Sequence, residues 1–233
     1  MIHLLIFLLF FGGLAVWLVF LFSRPPNQAL FTKPLYVLPG GEKVVVLTFD
    51  DGPLPYRTPL LLEMLKKHGI KATFFMMGER MSQYPDIARQ VVAEGHLIGN
   101  HSWDHSRLTF RSPAFVRKQI TMTDSLIRAA GQQEVRFFRP PYLKKFIVLP
   151  LVLNAMKKVM VTGNINPPAE YNVPCDPHLV ADQVMEQVVP GSIIYLHDGY
   201  ILGDPGNGSA EFIEAVEQII VRLRDSGYSF VTL

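Results

Sequence analysis

Residues Val44–Pro53 read VVVLTFDDGP, an apolar, largely β-branched run that stops abruptly on two adjacent carboxylates. Such a run fits a strand buried on both faces, the pattern of parallel sheets. Asp-Gly-Pro is good turn chemistry, so a buried strand followed by a turn accounts for the stretch taken alone. A turn does not by itself explain why Asp50 and Asp51 stand side by side at the end of a buried strand.

From Val44 onward, apolar runs alternate with segments of helical periodicity. Strands are predicted at Val44–Phe49, Ala72–Met77, His96–Asn100, Val135–Arg139, Val159–Thr162, Ile193–His197 and Tyr228–Leu233. The segments between them carry apolar residues at i, i+3, i+4 and i+7, and several close on glycine. The stretch LKKFIVLPLVLNAMKKV is the irregular one, because Pro150 interrupts its helical pattern. Strand–helix alternation of this kind predicts a parallel α/β architecture. A barrel, closed or nearly so, and an open doubly wound sheet both fit it.

Residues capable of chemistry recur at the C-terminal ends of these strands. Asp50 and Asp51 follow the first, His101 and His105 the third, Arg139 closes the fourth, and His197 with Asp198 the sixth. In parallel α/β folds these ends share one face, where active sites form. His101 and His105, four apart in NHSWDHS, can meet one ion from a helix or from a tight loop. Two imidazoles and one carboxylate make a catalytic metal set with positions left open. One aspartate would complete that set and the other would be free to act as a base. Arg139, held by Pro140 and Pro141 at a rigid strand end, suits orientation of a carboxylate. His197 is placed to donate a proton.

TFDDGP, HSWDH, RPPY and LHD, in this order, resemble four motifs of the polysaccharide deacetylase family, the NodB-like carbohydrate esterases. The resemblance covers the chain from about Val44 to Leu233. It implies a distorted, incomplete (β/α) barrel. It further implies that Asp51, His101 and His105 hold a divalent metal, most often zinc, with Co²⁺ or Ni²⁺ as alternatives. Asp50 would be the general base, Arg139 its orienting partner, and Tyr142 the backbone N–H donor to the oxyanion. His197 would protonate the departing amine.

The sequence departs from the family in two places. Many members carry an Asp and a Trp near the fifth strand, and the Asp tunes the acid histidine. Here the region reads VTGNINPPAEYNVPCDPH, with Asn164 or Asn166 in the expected place of the carboxylate and Tyr171 in that of the Trp. An amide does not support an imidazolium as a charge does, so His197 is expected to be a weaker base than usual. Leu143 follows RPPY where glycine is common.

The bulk properties narrow the setting. The chain has 233 residues and a net charge of +2, with no dense basic run that would mark a nucleic-acid site. Its single cysteine, Cys175, cannot form an intramolecular disulfide. Residues 2–22 contain no Asp, Glu, Lys or Arg and are long enough to span a bilayer. No basic residue precedes them and no small-x-small site follows, so an uncleaved anchor over residues 1–23 is predicted rather than a signal peptide. Residues 24–43, with four prolines and two glycines, read as a tether to a domain over 44–233. Arg24 and Lys33 alone would favour a cytoplasmic domain. A glycan substrate favours the extracytoplasmic side, which is the expectation adopted.

The sequence therefore predicts a membrane-anchored, metal-dependent hydrolase that removes N-acetyl groups from an N-acetylglucosamine-containing glycan. Two alternatives use the same site: an O-acetyl esterase, and a deacylase of a lipid-linked sugar. A glycan-binding pseudoenzyme is the alternative without catalysis. Composition and motifs leave the oligomeric state undetermined.

Overall fold

The apolar run becomes strand β1, Val44–Asp50, in which every residue after Val44 is buried. In the computed structural model it is followed by α1 (Thr58–Lys67), β2 (Thr73–Met76), α2 (Gly78–Gln83), α3 (Pro85–Ala93) and β3 (Leu97–Asn100). Then come α4 (Pro113–Ala129), β4 (Phe137–Phe138), α5 (Val148–Ala155), β5 (Val159–Met160), α6 (Pro177–Met185), β6 (Ile193–His197), α7 (Ser209–Asp225) and β7 (Ser229–Phe230). The structure describes residues 27–199 and 208–233, together with 7, 10–14, 17 and 25. The expected membrane span lies for the most part outside the described residues. Among those described, no helix is long and apolar enough to cross a membrane.

All seven expected strands form, several of them shorter than the sequence pattern implied. They pair in parallel in the order β5-β4-β3-β2-β1-β6, with β7 alongside the start of β1. The sheet curls into an incomplete barrel, as the resemblance implied, with β5 and β6 at its two ends. Residues 35–38 lie across that opening: Leu35 N–H donates to Met160 O at 2.7 Å and Leu38 N–H to Gly191 O at 2.8 Å. Near the same gap, Ile165 bridges Ile194 of β6.

Side-chain alternation along the strands sets the layers of the molecule. Val45, Leu47 and Phe49 face outward into the core shared with α1, α3, α6 and α7. Val46 joins Phe75, Val161 and Ile193 in a separate apolar cluster, with Leu35 and Leu38 packed against it, which fills the barrel interior. The parity that sends Val46 inward also sends Thr48 and Asp50 inward, so a carboxylate emerges above an apolar plug. Register does the same for β6, where His197 lies directly opposite Asp50.

Pro150 does not break α5. It sits in the first turn, where its missing N–H would have no partner within the helix anyway. A third cluster joins α4 and α5 through Val116, Ile120, Leu149 and Val152, with Phe138 of β4 and Met160 of β5 beneath them.

Under β3 a buried polar chain reaches toward the HSWDH loop. Lys158 Nζ lies 2.8 Å from Asp124 Oδ2, and Asn100 donates to Asp124 Oδ1 at 2.7 Å. Asn100 Oδ1 in turn accepts from Ser102 N–H at 2.8 Å. Removing one member of a buried ion pair leaves the other charged and unpaired. Asp124→Ala is therefore expected to lower stability by about 3–5 kcal/mol, read as a shift of the urea unfolding midpoint. A change within a few tenths of a kcal/mol would show that the pair does not support the loop.

Candidate metal-dependent active site

The site assembles at the C-terminal ends of the strands, around a cleft of about 710 Å³. Asp50, Asp51, His101, His105, Tyr142 and His197 all line it, while Arg139 lies fully buried beneath. The structure thus brings together every residue singled out from the sequence.

The two aspartates diverge because the backbone turns between them. Asp50 is the last residue of β1, whereas Asp51 adopts a left-handed conformation, φ 72°, which is uncommon for a residue with a side chain. Asp50 Oδ1 accepts from Arg139 Nη1 at 2.5 Å. The same Nη1 reaches Thr48 Oγ1 at 2.7 Å. The guanidinium is stacked between Phe75 and Tyr195, 4.1 and 5.3 Å from the ring centroids.

Asp51 points the other way, toward His101 and His105. Its Oδ1 lies 3.3 Å from His101 Nε2 and 3.4 Å from His105 Nε2, yet this buried oxygen has no partner of hydrogen-bonding geometry. His101 Nδ1 is 2.8 Å from the Arg139 carbonyl, so it carries the proton there and leaves Nε2 with a free lone pair. A carboxylate oxygen and two imidazole nitrogens converging in this way fit a cation. Ligands about 2.05 Å from an ion at tetrahedral angles stand about 3.3 Å apart, matching the observed separations. His101 and His105 meet from a loop, not a helix. Ser102 and His105 take φ of 67° and 56° in that loop.

The electrostatics favour the ligand-competent forms. Burial opposes the charge on Asp51, but His101, His105 and His197 outweigh it and hold the carboxyl below its ordinary range. Burial, with His101 beside it, pushes His105 down to about 4 against the pull of Asp51.

The fifth-strand region corrects the sequence reading. Neither Asn164 nor Asn166 takes the place of the acid that supports His197. Glu170, fully buried in the 3₁₀ turn Pro168–Tyr171, does so. Its carboxylate lies 3.3 and 3.4 Å from His197 Nδ1 and also accepts the His197 backbone N–H. Asn166 holds that carboxylate in place, donating to Glu170 Oε2 at 3.1 Å and to Tyr195 O at 3.0 Å. Asn164 is engaged elsewhere, with Ser192 and Ile193. Burial works against protonation of His197, but Glu170, helped by Asp50 and Asp51, raises it to about 9. His197 is therefore a stronger base than usual, not a weaker one. The signal was present in the sequence: an acidic residue, Glu170, directly before Tyr171, the residue read in the place of the Trp. Tyr171 does line the cleft, its hydroxyl 2.9 Å from Asn166 Oδ1.

Two further residues were not foreseen in these roles. Asp198, fully buried, accepts from Thr58 Oγ1 at 2.6 Å, and Thr58 Oγ1 accepts Leu54 N–H at 2.8 Å, pinning the loop after β1. A Cβ at Gly52 would collide with the Asp198 carboxylate, and one at Gly199 with the Asp51 Cβ, so both positions require glycine. Arg80 lines the cleft and donates to the Asp51 carbonyl at 2.8 Å. Tyr142 and Leu143 take left-handed φ of 56° and 52°. That conformation is the physical reason glycine is common at the second position.

Comparison with known proteins agrees with this geometry. Residues 38–162 match the family model described as polysaccharide deacetylase. A chitooligosaccharide deacetylase of Azorhizobium caulinodans is 33% identical over 198 residues, covering 82% of this chain and 93% of the relative. A peptidoglycan-N-acetylglucosamine deacetylase of Bacillus cereus is also 33% identical, over 84% of this chain and 68% of its own length. A crystal structure of a peptidoglycan N-acetylglucosamine deacetylase superposes with a TM-score of 0.77 at 30% identity, covering 85% of this chain and 90% of the other. With its motifs, its curled parallel barrel and its matched relatives in agreement, this chain belongs to the polysaccharide deacetylase family.

Proposed function

We propose that the chain is a metal-dependent, membrane-anchored deacetylase that hydrolyses N-acetyl groups of an N-acetylglucosamine-containing glycan on the extracytoplasmic side. The observation that carries the catalytic reading is the division between the carboxylates: Asp50 bonded to Arg139, Asp51 bare between two imidazoles. The apolar, uncharged run of residues 2–22 supports the anchor.

A divalent ion held by Asp51, His101 and His105, most simply Zn²⁺, would polarise the acetyl carbonyl and acidify the attacking water. Asp50 takes the proton of that water, its free oxygen facing the cleft while Arg139 fixes the other. Tyr142, on its strained turn, offers its backbone N–H to the developing oxyanion. His197 gives its proton to the departing amine through Nε2, because Nδ1 is committed to Glu170. An amide releases a poor leaving group, so the acid matters more than it would for an ester. The carboxylate behind His197 thus favours N-acetyl over O-acetyl hydrolysis. A pseudoenzyme would have no use for a base, its orienting arginine and a supported acid together.

Three outcomes are expected. The full chain should release acetate from N-acetylglucosamine oligomers, and a chelator should abolish release until metal is restored; no release from any acetylated glycan by metal-loaded protein would overturn the catalytic reading. Asp50→Asn should cost about 10²–10⁴ in kcat with metal content near normal, whereas His101→Ala should lose metal and turnover together. Metal loss in Asp50→Asn would mean that the aspartates have exchanged roles. In the pH profile, His197 must be protonated to act, so kcat should fall as pH rises through about 9. Glu170→Gln should move that alkaline limb down by about 1–3 units, and an unmoved limb would remove Glu170 from the mechanism.

A further inference from the structure

One flank of the barrel differs in charge and surface chemistry from the rest. Among the described residues, segments 27–41, 105–118 and 135–169 hold eight exposed Lys and Arg and no Asp or Glu, with the exposed acids Asp104 and Glu134 at their borders. The fold gathers them: Ala29 packs against the cluster that contains Leu108, Leu149 and Val152. Large apolar side chains stand exposed along this flank, Phe110 at 77%, Phe31 at 57% and Leu151 at 47%. Phe110 stacks on Phe146 with ring centroids 4.6 Å apart, and Asn154 of α5 donates to Phe31 O at 2.6 Å. Arg107, Arg111 and Lys144, all exposed, are interspersed among them.

We propose that this flank, centred on Phe31, Phe110, Phe146 and Leu151, docks on the surface of a bilayer containing anionic lipid. Two observations choose the occupant. The uncharged apolar run 2–22 ends only a few residues before Ala29, so it joins the domain at this flank. Exposed aromatics set among the exposed Arg107, Arg111 and Lys144 complement an interface of apolar chains beneath anionic headgroups. The docked flank adjoins the cleft: Arg107 lies 5.2 Å over the Tyr142 ring, and Tyr142 lies 4.4 Å from the His105 ring. The cleft therefore opens beside the membrane surface, within reach of glycan held there. Docking of this flank rests on the anchored reading above and is separable from its chemistry.

The test uses the full chain in lipid nanodiscs of phosphatidylcholine, with and without phosphatidylglycerol. A fluorophore is placed at Phe110→Cys in a Cys175→Ser background, and a reference fluorophore at Val221→Cys on α7. Nitroxide-labelled lipid should quench the label at position 110 strongly and that at 221 little. Omission of phosphatidylglycerol should weaken the difference, and Arg111→Gln should lower the docked-to-undocked ratio about fivefold. Equal quenching at both positions, or none at 110, would overturn the proposal. Acetate release from a soluble oligomer, measured on the same discs, separates failure of docking from failure of catalysis.

Discussion

Arg139 fixes the site from both ends of one residue. Its guanidinium, fully buried between Phe75 and Tyr195, bonds Asp50. Its carbonyl accepts from His101 Nδ1 and thereby sets which imidazole nitrogen faces Asp51. The proposed base and the proposed cation ligands thus share one anchor. A charge with no exposed surface is tolerable only where its partner is fixed, and the apolar plug below leaves the guanidinium that one carboxylate to satisfy. The barrel interior therefore determines where the chemistry can stand.

Around that anchor the backbone is under local strain. Asp51, Ser102, His105 and Tyr142 all take positive φ, a conformation that costs residues with a Cβ. Each lies at or beside a side chain or N–H aimed into the cleft. The loops are held from outside by Asp198 on Thr58 and by Asn100 on Asp124, residues that do not line the cleft. Their burial is what lets the strained segments keep a single geometry.

Much of this was legible in the sequence, for a physical reason. Parallel α/β folds bring strand C-termini to one face, so the order of strands and motifs along the chain is enough to place distant residues together. The seven strands followed from it, whereas which aspartate faces the histidines was implied only by the resemblance to the family. Glu170 did not follow, because strand periodicity points to acids at strand ends, and this one is delivered by a 3₁₀ turn whose conformation no periodicity reveals. The reach of residues 35–38 across the open side of the barrel was equally hidden, since isolated bridges leave no alternating pattern. Pro150 misled in the opposite direction: a proline breaks a helix only beyond the first turn.

The proposed catalysis depends on one metal ion held by two imidazoles and a carboxylate. X-ray absorption at the zinc edge of the metal-loaded full chain reads that set directly. The structure predicts one ion per chain with two imidazole nitrogens and oxygen neighbours at about 2.0–2.1 Å, and no sulfur, since Cys175 is buried and its thiol is raised to about 11. A spectrum with a sulfur neighbour, or one lacking two imidazoles, would contradict it.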